Sequence, residues 1–307
     1  MTGKRGRVLK RIVSISLGSS KRNHAVEFEI AGMQYSVERI GTDGDLRKMV
    51  GMISELDGKV DAFGLGGMDL YVYAGNRRYT LREAKNVVRA AQQTPIVDGS
   101  GLKNTLERSV IRYLKKNTDI LANRPRVLMM SGVDRFGMAG ALVEADCALT
   151  CGDLIFVIGI PLPLRSLKAL EIAARVLAPI VCQLPFSMLY PTGKKQEENK
   201  PKYPKLFADA DIVAGDFHFI RRYMPKDMKG KIIITNTTTA DDVNLLREIG
   251  VKTLITTTPE LRGRSFGTNV MEALLVAVSG KKQELSPQEY SDLLIELEFK
   301  PRIATLN

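Results

Sequence analysis

The chain has 307 residues, 44% of them hydrophobic and 26% charged, and a net charge of +11. This composition is globular and excludes collagen-like, low-complexity and largely disordered chains. The length allows one large domain or two medium ones, with a core that needs no disulfide or structural metal.

In chain order, residues 9–17 read as a strand ending at Gly18, and 25–31 with 33–40 alternate about Gly32 as a hairpin. A helix is predicted from Asp43 or Gly44 to Leu56, where Asp57-Gly58 stops it. Residues 60–67 (VDAFGLGG) form a buried strand entering a glycine loop, and 79–93 an amphipathic helix with Leu81, Ala84, Val87, Val88 and Ala91 on one face. TPIVDGSG (94–101) gives a short strand and turn, followed by a helix from about Lys103 to Leu121 and a break at Asn123-Arg124-Pro125. RVLMMSG (126–132) is a buried strand, FGMAGALVEAD a helix rich in small residues, and 164–178 a further helix. Residues 190–205 are a long exposed loop. Strands follow at 211–216, 231–236 and 253–259, with helices at 241–249 and 268–279. A last helix begins at Ser286, with Pro287 at its first position and Glu289 completing a capping box. Strands alternating with helices predict α/β layers with a mainly parallel sheet.

The charge is uneven: residues 1–124 hold 22 Lys and Arg against 13 Asp and Glu, and residues 125–307 hold 23 against 21. This fits an anionic ligand near the first half, or a basic tail and solvated helix faces, which is the commoner origin. No helix-turn-helix, zinc-finger or RRM pattern occurs, so nucleic acid is not an expected partner. Cys147, Cys151 and Cys182 read as buried thiols, and with only His24 and His218 besides, no metal site is expected. No run of about 18 apolar residues predicts a membrane span. No apolar h-region follows the basic start, so no signal peptide and a cytoplasmic location are expected.

Five segments carry chemistry. LGSSKRNH (17–24) ends a strand with Ser19, Ser20, Lys21 and Arg22, which suit a carboxylate or phosphate, or form a plain polar loop. Asp98 stands at a strand's end, where it can move a proton or cap a turn. In SGVDRFGMAG (131–140), Ser131, Gly132, Asp134, Arg135 and Gly137 lead from a strand into a helix, where amides can hold a phosphate. The spacing is G-x4-G-x2-G, not G-x-G-x-x-G, and Asp153 lies about twenty residues on; glycines placed for helix packing are the alternative. Asp216 and His218 offer acid–base groups or simple packing. Thr257, Thr258 and Arg264 precede a helix in a loop that can hold an anion, with a surface loop capped by Thr268 or Asn269 as the alternative. TNTTTADD (235–242) is expected to line the same cleft.

The order of VDGSG (97–101), long helix, break, RVLMMSG (126–132), glycine turn and helix resembles the shikimate/quinate dehydrogenase family over about 45 residues. The resemblance implies a catalytic role for Asp98, NAD or NADP as cofactor, and a small hydroxylated acid as substrate. The family's N-V-T-x-P-x-K segment has no counterpart in residues 61–75, and Ser19 and Ser20 only approximate its paired serines. The resulting expectation is an α/β fold of two domains. These are an N-terminal mixed α/β domain (1–123), a Rossmann-like parallel-sheet domain (124–285) and a C-terminal helix (286–307) packing back on the first. An interdomain cleft would hold a small anionic molecule. The expected function is that of an NAD(P)-dependent oxidoreductase or, alternatively, of a non-catalytic or regulatory protein binding a phosphorylated or carboxylated molecule.

Overall fold

The computed structural model describes residues 9–30, 32–74, 77–184, 199–258, 260, 261, 264, 265 and 267–307, without the side chains of 72–74, 260, 261, 264 and 265. The fold is α/β, built on two parallel-dominated sheets. The first contains β1 (Leu9–Ser16), β2 (His24–Ile30), β3 (Met33–Gly41), β4 (Ala62–Gly66) and β7 (Ile96–Val97), in the order β2-β3-β1-β4-β7. Only β2 runs antiparallel, as one arm of the hairpin about Gly32. Helix α1 (Leu46–Leu56) precedes β4; the hairpin β5 (Tyr71–Ala74) and β6 (Arg77–Thr80) and helix α2 (Arg82–Val88) follow it.

Helix α3 (Ser100–Asn117) leads to the second sheet. Its units are β8 (Arg126–Met129), α4 (Phe136–Glu144), β9 (Ala148–Cys151), a π-helical turn (Leu154–Ile158), α5 (Leu167–Val181), α6 (Pro204–Asp209), β10 (Ile212–Ala214), α7 (Phe217–Tyr223), β11 (Ile232–Thr235), α8 (Ala240–Glu248) and β12 (Thr253–Thr256). A small hairpin, β13 (Glu260–Leu261) with β14 (Arg264–Ser265), precedes α9 (Thr268–Ser279), α10 (Pro287–Glu296) and β15 (Arg302–Thr305). The order is β15-β12-β11-β10-β8-β9, with only β15 antiparallel.

The central strands are short apolar runs because both their faces are covered. Along β1, Ile12 faces the inner core, and Val13 and Ile15 face α1 and α2. The inner core is continuous from Val37 and Ala62 through α9, α3 and α4 to Val127, Met129 and Ile255 of the second sheet. Helix α9 crosses back from the far end of the chain to lie on β1 and β4. Its first turn needs the glycines beneath it: a Cβ on Gly64 would come within 2.8 Å of the Asn269 carbonyl oxygen. One on Gly99 would reach the Asn269 nitrogen at 2.6 Å.

Three local features differ from the sequence pattern. Helix α3 starts at Ser100, because Gly99 takes a φ of 95° and Asp98 accepts the Ser100 N–H at 3.0 Å. Helix α2 is shorter than its apolar stripe, since Arg77–Thr80 pairs with Tyr71–Ala74 as a strand. After α10, which packs on α3, the chain adds an unexpected strand, β15, to the second sheet.

Both sheets place a switch point toward one cleft. In the second, β9-β8-β10-β11-β12 is a 2-1-3-4-5 order, so the connections leave β8 in opposite directions and open a crevice beyond β8 and β10. In the first, β3 and β4 flank β1 in the same way.

Candidate functional site

A cavity of about 370 Å³ lies where these strand ends meet. Gly18 after β1 and Gly66 to Asp69 after β4 line one side. Ser131 and Arg135 after β8, Asp216 after β10 and Asn236 after β11 line the other. These are carboxyl ends, the edge at which open α/β sheets bind ligands.

One group of charges in the cavity is internally paired. The Lys103 Nζ, one turn into α3, lies 2.7 Å from Asp134 and 3.4 Å from Asp69. Burial alone would lower its pKa, but Asp134 and Asp69 more than reverse that and hold it charged. Arg135 is 2% exposed and contacts Glu107 and, at 3.2 Å, Asp216. Asp216 also caps α7 through the His218 N–H at 2.9 Å and accepts from Asn236 at 3.0 Å. Burial would raise the Asp216 pKa; His218, Arg135 and the backbone bond outweigh it and hold it at about 2.

A second group has no such pairing. Arg22, Arg39 and Arg222 line the cavity, and none forms an ion pair with a carboxylate among the described residues. Arg39 donates to the Ser19 carbonyl and the Ser16 hydroxyl, both at 3.1 Å. Burial and then the charge of Arg22 lower its pKa to about 10, against a pull from Asp43. The Arg22 guanidinium lies 3.2 Å from His218 Nε2. Burial lowers the His218 pKa against the pull of Asp216. A guanidinium only donates, so Nε2 accepts and the ring proton sits on Nδ1. Arg222 lies over the Tyr223 ring, 5.5 Å from its centroid, and its Nε is buried with no hydrogen-bond partner among the described residues. The Ser131 hydroxyl, 3% exposed, likewise has none.

Among the residues singled out by sequence, Asp98, Ser131, Asp134 and Arg135 line the cavity, as do Arg22, Asp216 and His218. The Asp98 carboxylate accepts from the Leu70 N–H, the Ser100 N–H and, at 2.6 Å, the Ser100 hydroxyl. Gly132, Gly137, Thr257, Thr258, Ser19, Ser20 and Lys21 are not among the lining residues. Lys21 is exposed, and Ser19 caps the 3-10 turn Ser20–Arg22. Thr257 donates its N–H to the Thr235 carbonyl at 2.8 Å, and Thr258 its hydroxyl to the Asn236 carbonyl at 2.8 Å. The threonines in the cavity are those of 237–239, after β11, and Thr268 at the start of α9. The Arg264 side chain lies outside the described residues, as do residues 190–198 of the predicted loop. Sequence reading missed Arg39, Arg222, Lys103 and Asp69.

The β8–α4 turn can be tested against a pyrophosphate. The Gly132 and Val133 N–H groups, which would receive it, already donate to Asp153 at 2.9 and 2.8 Å. A Cβ on Gly137 would meet the Asn104 Oδ1 at 2.3 Å, and one on Gly132 the Leu170 Cδ2 at 2.8 Å. The spaces beside these glycines are filled by packing, so the turn in this arrangement does not fit a pyrophosphate. Among the described residues, no group of three His, Cys, Asp or Glu side chains is placed to hold a metal ion. No described helix is long and apolar enough to cross a membrane.

No curated protein matches the chain. Among solved structures it is similar to a galactofuranose binding protein, at 12% identity over 96% of this chain and 94% of that one, with a TM-score of 0.36. It is also similar to the hetero-hexameric glutamate dehydrogenase of Thermus thermophilus (11% identity, 94% and 73%, TM-score 0.41). A third is the NAD-dependent malic enzyme of Thermotoga maritima (12% identity, 89% and 73%, TM-score 0.34). At such scores the likeness carries no argument about ligand or reaction. Residues 11–98 match the family described as a domain of unknown function, DUF8753. Residues 101–306, more than half of the chain, match a second family, and the chain belongs to it: the family described as a domain of unknown function, DUF8754.

Proposed function

We propose that the chain binds a small anionic molecule, phosphorylated or carboxylated, in the cleft between its two sheets. The observation that carries this reading is the contrast between two sets of cations in one cavity. Lys103 is matched by two carboxylates and Arg135 by three. Among the described residues Arg22, Arg39 and Arg222 have none, and burial, then repulsion by Arg22, lowers the Arg39 pKa. A bound anion relieves that repulsion and takes charge-assisted hydrogen bonds that the protein leaves unused. Ligand binding to the native state raises apparent stability. Inorganic phosphate or a dicarboxylate therefore raises the thermal midpoint of the wild type. Arg39→Gln, which keeps a donor but removes the charge, lowers the phosphate affinity by about tenfold or more, the range of a lost charged hydrogen bond. Titration calorimetry reads both, and equal affinity in the variant counts against the reading.

A second reading is an NAD(P)-dependent oxidoreductase of a small hydroxylated carboxylic acid, similar to quinate or shikimate dehydrogenases. Asp98 and Lys103, a carboxylate and an ammonium in the same cavity, favour it. It requires Asp153 to release the two amides after β8. Titration with NAD, NADH, NADP and NADPH decides: binding strengthened by Asp153→Asn, which holds the two amides less tightly, supports it, and no binding of the four dismisses it.

A further inference from the structure

The cavity that carries the three arginines is apolar over most of its remaining wall. Helix α5 turns one face to it, with Ala173, Ala174, Leu177, Ala178 and Val181 spaced along two turns. The π-helical turn adds Leu154, Val157 and Ile158. Across the cleft stand Leu65, Met68 and Leu81 of the first sheet's side. A site built only for a small hydrophilic anion has no use for such a wall, because apolar surface binds apolar surface.

The apolar surface also continues out of the cavity. Val157 and Ile158 line it and are still 44% and 41% exposed. Beyond them Ile160 and Leu162 are 47% and 55% exposed, on the short segment that leads to α5. Isolated exposed apolar residues need no explanation, but a contiguous strip joined to a cavity marks a binding surface.

We propose that the ligand of the cleft is an amphiphile: a phosphate-type anionic head seated at Arg22, Arg39 and Arg222, joined to an aliphatic chain of prenyl or acyl type. The chain lies along α5 and leaves past Val157 and Ile158. This deepens the anion-binding reading and rests on it. The buried Ser131 hydroxyl, with no hydrogen-bond partner among the described residues, is a further group available to the bound molecule. The guanidiniums come from the turn after β1, from β3 and from α7, and the apolar side chains from α5 and the π-helical turn, which fixes the orientation, since reversing the molecule would strand the head on α5 and leave the guanidiniums bare.

The test is a series of n-alkyl phosphates, from ethyl to octyl, titrated calorimetrically into the full chain below their micelle concentrations, with inorganic phosphate alongside. Each methylene that enters the apolar wall strengthens binding about threefold to fourfold. Octyl phosphate is expected to bind at least about a hundredfold more tightly than ethyl phosphate. Val157→Asn, at a position exposed enough to tolerate a polar side chain, flattens the dependence on chain length. Arg39→Gln weakens every member of the series. If phosphate binds but affinity does not change with chain length, the amphiphile inference is overturned and the anion site stands. If no phosphate or alkyl phosphate binds, the anion site itself fails. If octanol or octyl glucoside binds as tightly as octyl phosphate, the head is not recognised and the inference is overturned. It is also overturned if the chain binds only phosphatidic-acid vesicles and no monomeric alkyl phosphate.

Discussion

Glu272 is fully buried where three helices meet. Its carboxyl accepts the Gly99 N–H at 2.5 Å and the Tyr290 hydroxyl at 2.5 Å, linking α9 and α10 to the start of α3. Burial, and then the charge of Asp98, raise its pKa to about 8. An unfolded glutamate ionises near pH ~4.3. Between that value and about 8 the native chain holds a proton that the unfolded chain has released. The contribution of Glu272 is therefore complete below the unfolded pKa, falls as pH rises, and levels off above the folded pKa. The loss is at most about 1.4 kcal/mol per pH unit. Glu272→Gln keeps an acceptor oxygen and cannot ionise, so urea denaturation at pH values from about 5 to 8 should show a shallower decline in its stability than in wild type. Parallel curves for the two proteins would mean the Glu272 charge is accommodated. Single residues of the cleft were legible in the sequence only where a strand ended in a glycine turn, as at Asp98 and Ser131. Arg39 was not: it is one basic residue in an alternating strand. Only the register pairing Ser16 with Gly41 brings it to the Ser16 hydroxyl. Lys103 shares the buried face of α3 with Leu106, Val110 and Leu114, where a charge is not expected, and the carboxylates that hold it come from loops 34 and 31 residues away.

Elements were easier to read than residues, because strand runs such as RVLM and IIIT are short, apolar and closed by breaks. The Ser286–Glu289 capping box formed as its spacing required. The hairpin of β5 and β6 was hidden, since Arg77–Thr80 abuts the apolar stripe of α2 and periodicity does not mark where a strand yields to a helix. The β8–α4 turn shows a subtler limit. Glycines spaced for helix packing and glycines spaced for a phosphate look alike in one sequence. The neighbours decide, and at Gly137 the neighbour is Asn104 of α3, whose carbonyl oxygen would lie 2.8 Å from a Cβ. Gly137→Ala therefore overpacks the α3–α4 contact, with an expected loss of about 1–3 kcal/mol in denaturant unfolding. If the variant is as stable as wild type, the two helices can separate, and Gly137 has some other reason to be a glycine.

At the scale of the whole molecule, the two sheets share one core, so neither half of the sequence is a complete folding unit. The inner face of the first sheet, with Ile12, Val37 and Ala62, is buried in the cluster that contains Val270, Leu274 and Ala277 of α9. That helix follows all the parallel strands of the second sheet in the chain, and Gly64 and Gly99 are shaped to its first turn. The family division after residue 98 thus separates strands from the helix that covers them. A fragment of residues 1–99 would expose this face to water, at about 25 cal/mol for each Å² of apolar surface left uncovered. A chain of that length has little core to spare. Expressed alone, the fragment is expected to lack cooperative unfolding and dispersed amide resonances, while the full chain unfolds in one calorimetric transition with both sheets lost together. A 1–99 fragment that folds by itself, or a full chain that melts in two resolved steps, would show that α9 is docked on the first sheet without being required by it. Mutations on α9 would then alter the cleft without destabilising the sheet beneath.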